Sequence, residues 1–304
     1  MSAPIVVEGV DKSIAVGFWG RKKKLLERVS FVVDAGRTVG FVGVNGAGKS
    51  TTIKHIIGCA RPTAGTIRVL GGDPREAAVR RRFGYMPELP YLPPTLTTDE
   101  VLRLHAALCV LRDPGRRIDE LLELVGLAQR RRERVGTFSK GMQTRLTLAL
   151  ALLAEPELLI LDEPMSGLDP VGRQLVRRIL REQASAGRTI LFSSHVLSDV
   201  EALCTDVVVI DAGTIVYTGG AAGAVGEPTG RWVVRAPDQG TPPSGAAIVD
   251  ARRESDTWVV SIAATTGEEA VRLAHGLGLA IIALEPERRS LEDRLLGIIG
   301  RSSS

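Results

Sequence analysis

The chain has 304 residues, of which 44% are hydrophobic and 24% charged, with a formal net charge of +4. This balance is typical of a globular protein, and the charge alone does not indicate nucleic-acid binding. The N-terminus lacks a signal-peptide pattern, and no uninterrupted apolar run reaches the roughly 18 residues of a membrane span. Cys59, Cys109 and Cys204 have no paired spacing, so we expect reduced thiols in a cytosolic protein.

The first third of the chain reads as short strands around one glycine-rich loop. IVVEGV, VSFVV and TVGFVGV predict strands, and a helix is expected from Lys49 to about Gly58. GTIRVLG predicts a further strand, and Pro74 stands where a first helical position is expected. Four prolines make FGYMPELPYLPP an extended segment.

The middle of the chain alternates helices and strands. From Thr98 to about Ala154 the apolar spacing is helical, and ELLILDEP then predicts a buried strand. VGRQLVRRILREQASAG and SDVEALC predict helices on either side of a strand TILFSSH, and a hairpin follows around Ala212–Gly213. This alternation predicts an α/β fold with a mostly parallel sheet.

Composition changes after Gly219, where two Gly-, Pro- and Ala-rich stretches resemble linkers. RWVVRA and TWVVSIA predict strands, and Thr266 with Glu269 predicts a capped helix start. A strand LAIIALE and a last helix, with Ser290 and Asp293 in the same arrangement, complete a predicted β-β-α-β-α unit.

A phosphate loop is the clearest motif. GVNGAGKS, at 43–50, fits GxxxxGK[ST] at every fixed position and lies between a predicted strand and a predicted helix. Its backbone amides would converge on phosphate oxygens at a helix N-terminus, with Lys49 reaching the β- and γ-phosphates and Ser50 binding Mg²⁺. The alternative is a glycine-rich turn that binds no nucleotide.

Two carboxylates end the strand of LLILDEP, at the edge where open α/β sheets bind ligands. Asp162 is suited to hold Mg²⁺ through its water shell, and Glu163 is suited to accept a proton from an attacking water. Taken alone, this pair is equally consistent with a solvated turn.

Five motifs in order resemble the ATP-binding cassette (ABC) ATPases. They are the phosphate loop, FSKGMQ at 138–143, LLILDEP, SGLD at 166–169, and SSH ending at His195. The resemblance covers residues 1 to about 220. It implies an α/β, P-loop NTPase cassette at 1–220, whose mainly parallel sheet core carries an antiparallel β part and a helical subdomain at about 90–155. A small α+β domain would occupy 226–304.

The resemblance also implies the nucleotide site. Trp19 would stack on adenine, with Phe18 as second candidate and an ordinary surface or core aromatic as the alternative. The phosphates of ATP would be bound by Gly43, Asn45, Gly46, Ala47, Gly48, Lys49, Ser50 and Thr51. His195 would bond the γ-phosphate and position the water beside Glu163; a lone histidine after a strand is otherwise structural.

In this family two cassettes pair head to tail, and each ATP lies between the phosphate loop of one chain and the signature motif of the other. The signature here is Ser139, Lys140, Gly141 and Met142, which departs from the commonest form at its second and fourth residues. Asp169 would bridge to the opposite phosphate loop or simply cap a helix before Pro170. The pair would be a homodimer or a heterodimer with a related cassette.

A second departure is Glu88, which replaces the family's usual glutamine. A carboxylate could still approach Mg²⁺ or the water, but it cannot donate a hydrogen bond. The signature and the C-terminal ending resemble cassettes of the ABC-2 export type.

The resemblance therefore implies an ATP-hydrolysing exporter subunit on the cytoplasmic face of the cell membrane, with a separate integral membrane permease as partner. The helical region and the Glu88 loop would dock a cytoplasmic helix of that permease. The alternative is a soluble ABC ATPase acting on nucleic acid or ribosomes, but the chain lacks the tandem cassettes, coiled-coil insertions or zinc-type cysteines of such relatives, so no nucleic acid is expected. A binding module without catalysis is disfavoured because Lys49, Glu163 and His195 are all present.

Overall fold

The computed structural model describes residues 3–16, 21–221, 228–238, 240 and 242–288. They fall into two compact units, Met1–Ala221 and Ala222–Ser304, which have separate sheets and separate cores. The strands of the first unit are β1 Ile5–Val16, β2 Arg21–Val33, β3 Thr38–Val42, β4 Ala64–Val69, β5 Phe83–Met86, β6 Leu158–Leu161, β7 Thr189–Ser194, β8 Asp206–Asp211 and β9 Thr214–Gly220. Its helices are α1 Lys49–Ile56, α2 Ala77–Arg80, α3 Thr98–Leu108, α4 Gly115–Leu124, α5 Lys140–Leu152, α6 Pro170–Ser185 and α7 Leu197–Leu203.

A six-stranded sheet forms the centre of the first unit, in the order β5-β6-β7-β3-β8-β9. The pairs from β5 to β8 are parallel, and β9 returns antiparallel to β8 through the predicted hairpin. β3, β6 and β7 are buried along their whole length, as apolar strands covered on both faces are. Since parallel strands end at the same edge, the segments that follow these three strands meet there.

A smaller antiparallel sheet, in the order β2-β1-β4, packs beside the central one. The two sheets share one hydrophobic core, in which Phe31 of β2 stacks on Phe41 of β3 with ring centroids 5.4 Å apart. This packing holds β3, and with it the start of the phosphate loop, against the smaller sheet.

The region predicted to be helical contains α3, α4 and α5. A complete capping box starts α3, because Thr97 accepts from the Glu100 backbone N–H and Glu100 accepts from that of Thr97. Arg131 then ties α3 to α4 through ion pairs with Asp99 and Asp119. Among the described residues, no helix combines the length and apolarity that crossing a bilayer requires.

The predicted helix start at Pro74 is wrong. Asp73 Oδ1 accepts from the backbone N–H of Arg75 at 2.9 Å, which makes this segment a turn. Helix α2 begins only at Ala77.

The second unit contains β10 Pro228–Pro237, β11 Ile248–Glu254, β12 Thr257–Ala263, α8 Gly267–Gly276 and β13 Ala283–Arg288. The strands form an antiparallel sheet in the order β11-β12-β10-β13, with α8 packed on one face. Thr266 caps α8 as predicted, accepting from the Glu269 backbone N–H, but the predicted capping box is not completed, because the Glu269 carboxylate accepts from Thr265 instead. The predicted β-β-α-β order misses β11, whose sequence IVDARRE carries four charges and shows no apolar alternation. The predicted last helix, with Ser290 and Asp293, lies outside the described residues.

Candidate active site

The phosphate loop joins the buried strand β3 to helix α1, in the context that the motif requires. Gly46 and Gly48 have φ angles of +84° and +113°, a region that other residues rarely adopt. A Cβ on Gly43 would lie 2.3 Å from the carbonyl oxygen of Ile210. The sequence of the loop is therefore dictated by its backbone, which must turn sharply while packed against β8.

Lys49 begins α1 and points its ammonium group back over the loop. Its Nζ donates to the carbonyl oxygen of Gly43 at 2.7 Å and lies 3.5 Å from Glu163 Oε1. The side chains of Lys49 and Glu163 are only 7% and 8% exposed. A buried cation at a helix N-terminus makes a strong anion-binding position.

Asp162 and Glu163 directly follow β6, as predicted, and both are buried. Glu163 Oε2 lies 2.9 Å from His195 Nδ1 at the end of β7. A carboxylate can only accept, so the ring donates through Nδ1–H. The structure thus brings together Lys49, Glu163 and His195, the three predicted catalytic residues.

Ser193 is a site residue that the sequence did not reveal. Its Oγ donates to Asp162 Oδ1 at 2.6 Å and accepts from the backbone N–H of Glu163 at 2.8 Å. The side chain is fully buried. The available signal was its position two residues before His195, at the carboxyl end of a strand adjacent to β6.

A cleft of about 530 Å³ opens above these groups. Six of the predicted ATP-binding residues line it, together with Glu88, Glu163 and His195: Asn45, Gly46, Gly48, Lys49, Ser50 and Thr51. Ala47 is buried beneath the loop instead, where its carbonyl oxygen accepts from the Gly213 backbone N–H of the β8–β9 turn. Leu25 and Val44 add an apolar edge that the sequence did not suggest. Trp19 and Phe18 lie outside the described residues.

A second groove, of about 410 Å³, lies at the start of α5. Ser139 caps this helix by accepting from the Met142 backbone N–H, and the Lys140 side chain lies over Gly167. The residues that line the groove include Ser139, Lys140, Gly141, Met142, Gly167 and Asp169. None of the residues that line the groove also lines the cleft. In a single chain, therefore, the signature motif and the phosphate loop face separate spaces.

Asp169 is the N-cap of α6, accepting from the Gly172 backbone N–H at 2.7 Å, with Pro170 in the first turn. The helix-cap alternative thus holds within the chain. Nearby, Asp199 is only 1% exposed and pairs with Arg177 of α6, which fixes α7 against α6.

The charge of Asp162 also acts on its surroundings. Burial, followed by the negative charge of Asp162, raises the pKa of Tyr85 to about 12. Tyr85 lies on β5, next to β6, which Asp162 directly follows, so the pKa of the phenol is sensitive to the charge of Asp162.

The comparisons with known proteins agree with this geometry. A family model described as ABC transporter matches residues 26–166. The ABC transporter ATP-binding protein sll0415 of Synechocystis is 34% identical over 93% of this chain and 81% of its own length. The bacitracin transport ATP-binding protein BcrA of Bacillus licheniformis is 40% identical over 64% of each chain, so the shared stretch is less than two thirds of that protein. A solved ATP-binding subunit of an ABC transporter superposes with a TM-score of 0.66 at 36% identity, covering 73% of this chain and 92% of the other.

The sheet, the phosphate loop and the cleft define a nucleotide-hydrolysing protein of the phosphate-loop class. Within that class, the chain belongs to the family of ABC transporter ATP-binding proteins and is an ATPase of that family. The family, fold class and ATPase activity expected from the sequence are confirmed.

Proposed function

We propose that this chain drives export through a separate integral membrane permease, by forming an ATP-bound dimer and opening it on hydrolysis. One observation carries the proposal: the chain has two helix starts suited to phosphate, and they face separate spaces. The α1 start has Lys49, the loop amides and the hydrolytic side chains. The α5 start has the Ser139 N-cap followed by Lys140 and Gly141 in its first turn, without a phosphate loop or hydrolytic side chains, which suits contact with a phosphate that another chain already holds.

The cleft residues have distinct proposed roles in binding ATP. The amides of residues 43–48 and Lys49 would hold the phosphates, and Thr51 would complete the loop. Trp19 would stack on the adenine. The fit is supported by the buried Lys49 ammonium, which in the free protein is balanced by Glu163 and can exchange that partner for a phosphate.

The residues present also fit Mg²⁺. Ser50 and Asp162 would supply hydroxyl and carboxylate oxygens, the donors this ion prefers, and Glu88 would add a second carboxylate; Ser50 and Glu88 line the cleft, and Asp162 is buried directly after β6. Among the described residues, no group of three or more acidic, His or Cys side chains could hold a metal by itself, which suits an ion shared with phosphate oxygens and water. Bound Mg²⁺ would neutralise charge on the phosphates during transfer.

Glu163 would act as the base that receives a proton from the attacking water. Its carboxylate is buried, fixed between Lys49 and His195, and so is pre-oriented for that transfer. His195, which is half exposed at the cleft, would contact the γ-phosphate. Catalysis would then consist of positioning and charge stabilisation, with no covalent intermediate.

The second phosphate-binding helix start would be used by the neighbouring chain. In a two-fold dimer, Ser139, Lys140, Gly141 and Met142 of each copy would close the cleft of the other, making two equivalent sites. Asp169 would lie at the same interface. Because ADP lacks the γ-phosphate, hydrolysis would remove the shared contact and open the dimer. A related cassette could replace the second copy.

Exposed apolar side chains mark the surface proposed for the permease. Leu89 follows Glu88 directly and Tyr91, which is 94% exposed, comes two residues later; Leu104 and Leu108 of α3 are also exposed. Such side chains suit a short amphipathic helix of a partner protein. The chain would thus lie peripherally on the cytoplasmic face of the membrane, without nucleic acid. Transport is supported by the similarity to BcrA, a bacitracin transport ATP-binding protein, and export by the similarity to Nod factor export ATP-binding protein I of Paraburkholderia xenovorans, which is 38% identical over 70% of this chain and 71% of its own length.

The test is ATP-dependent dimerisation. We expect Glu163→Gln to accumulate as a dimer in size-exclusion chromatography with ATP and Mg²⁺, since it binds but does not hydrolyse. Two matched controls, Lys49→Ala/Glu163→Gln and Ser139→Arg/Glu163→Gln, should stay monomeric, the first by losing ATP and the second while still binding it. A Glu163→Gln protein that stays monomeric with ATP, alone and with the permease, would contradict the proposal. Full turnover in Lys49→Ala would contradict the assignment of the site.

A further inference from the structure

We infer that Ser193 is a positioning residue for ATP hydrolysis, whose hydroxyl holds Asp162 and Glu163 in their working arrangement. The inference rests on the proposed function, because it takes Asp162 as a metal-holding carboxylate and Glu163 as the base.

The hydroxyl of Ser193 connects the two residues directly. It donates to Asp162 Oδ1 at 2.6 Å and accepts from the Glu163 backbone N–H at 2.8 Å. A serine hydroxyl has one donor and can accept at the same time. The hydroxyl therefore uses both its donor and its acceptor capacity within the site, and each hydrogen bond has a defined geometry.

Each bond constrains something that catalysis needs. Donation to Oδ1 fixes the rotation of the Asp162 carboxylate and leaves the other oxygen for the shell of a metal. Acceptance from the Glu163 N–H holds a backbone with a φ angle of +51°, which is unfavourable for a residue with a side chain. That conformation directs the Glu163 side chain toward Lys49 and His195.

The surroundings of Ser193 give no other reason for a hydroxyl there. The strand β7 is buried throughout, and the residues that precede Ser193 are Leu191 and Phe192. The hydroxyl of the next residue, Ser194, bonds to the backbone of Val196 instead. A polar side chain in a dry strand needs partners, and those of Ser193 are the two site residues.

The test measures metal binding without turnover. Mn²⁺ replaces Mg²⁺, and its affinity in the presence of a non-hydrolysable ATP analogue is followed by electron paramagnetic resonance. We expect Ser193→Ala to weaken Mn²⁺ binding about 10- to 100-fold, the usual effect of losing a group that orients a metal ligand. Ser193→Thr keeps the hydroxyl and should restore the affinity to within about threefold of the native value.

The matched control is Thr189→Val, on the same strand. It also removes a buried hydroxyl, which accepts from the Gly36 backbone N–H at the far end of β7. Its Mn²⁺ affinity should stay within about threefold of the native value. An equal loss in this control, or unchanged affinity in Ser193→Ala, would overturn the inference. If the alanine variant does not fold, Ser193→Cys retains a side chain at the position but offers a much weaker donor, and its Mn²⁺ affinity should fall at least about tenfold. Unchanged affinity in Ser193→Cys would also overturn the inference.

Asp162→Asn separates this inference from the function on which it rests. If Asp162→Asn retains native Mn²⁺ affinity, the proposed metal site itself is wrong. If Asp162→Asn loses affinity while Ser193→Ala does not, only the role of Ser193 is wrong.

Discussion

The buried contact between Lys49 and Glu163 predicts that these two residues, which we propose to be catalytic, also stabilise the fold in the absence of nucleotide. Their charged atoms are 3.5 Å apart, and both side chains are more than nine-tenths buried. At an effective dielectric constant of about 20, two unit charges at that distance attract by about 5 kcal/mol. Loss of hydration offsets part of this, and both groups keep other partners, Gly43 for Lys49 and His195 for Glu163. We therefore expect a coupling free energy of about 2 kcal/mol.

The measurement is a double-mutant cycle on stability, made in the absence of nucleotide and metal because bound ligand would shift the transition. Lys49→Met retains the apolar stem and removes the charge, and Glu163→Gln is nearly isosteric. Calorimetry should show each single variant losing about 2 kcal/mol, or roughly 4–8 °C in the midpoint of the first unit. The double variant should lose about 2 kcal/mol less than the sum, because neither charge is left unpaired. Additivity within about 0.5 kcal/mol would refute an interacting pair.

Three further outcomes follow from single contacts. Burial and then the charge of Asp162 raise the pKa of Tyr85 to about 12, so the folded phenol stays protonated at pH values where the unfolded one ionises. The contribution of this phenol to the free energy of unfolding is therefore full below pH ~10 and is lost toward pH ~12. Urea denaturation midpoints should fall less steeply across that pH range in Tyr85→Phe than in the native protein. Asp199→Asn leaves Arg177, which is 24% exposed, without its carboxylate and should lower the free energy of unfolding by about 2–3 kcal/mol; an unchanged denaturation midpoint would show that water replaces the pair. Gly43→Ala places a Cβ 2.3 Å from a carbonyl oxygen of β8, so we expect at least about tenfold weaker binding of a fluorescent ATP analogue, and native affinity would mean that the loop adjusts freely.

The parts of the fold that the sequence predicts are those set by local patterns. The strand, glycine loop and helix around Lys49 are contiguous, and the hairpin at Ala212–Gly213 is set by its own turn. The hydrophobic pattern does not predict β11, because β11 is a charged edge strand. The proline signal at Pro74 does not start a helix, because the side chain of the preceding residue, Asp73, forms a turn. In each case the deciding interaction was absent from the hydrophobic pattern.

The site shows the same division. Its phosphate loop and its carboxylates occupy recognisable motifs, so their residue types and strand ends could be read from the chain. The role of Ser193 could not be predicted from the sequence, because it depends on a contact with Glu163, which is 30 residues away in the chain. The separation of the signature groove from the cleft likewise depends on how α5 and α1 pack around the sheet, which periodicity does not specify.

The proposed dimer, in which each ATP is bound by both chains, is tested most directly by a crystal structure of Glu163→Gln with ATP and Mg²⁺. We expect Ser139 and Gly141 of each copy within about 3 Å of the γ-phosphate oxygens held by the other copy's phosphate loop. An ATP-loaded crystal in which residues 139–141 contact no neighbouring nucleotide in any assembly would contradict it.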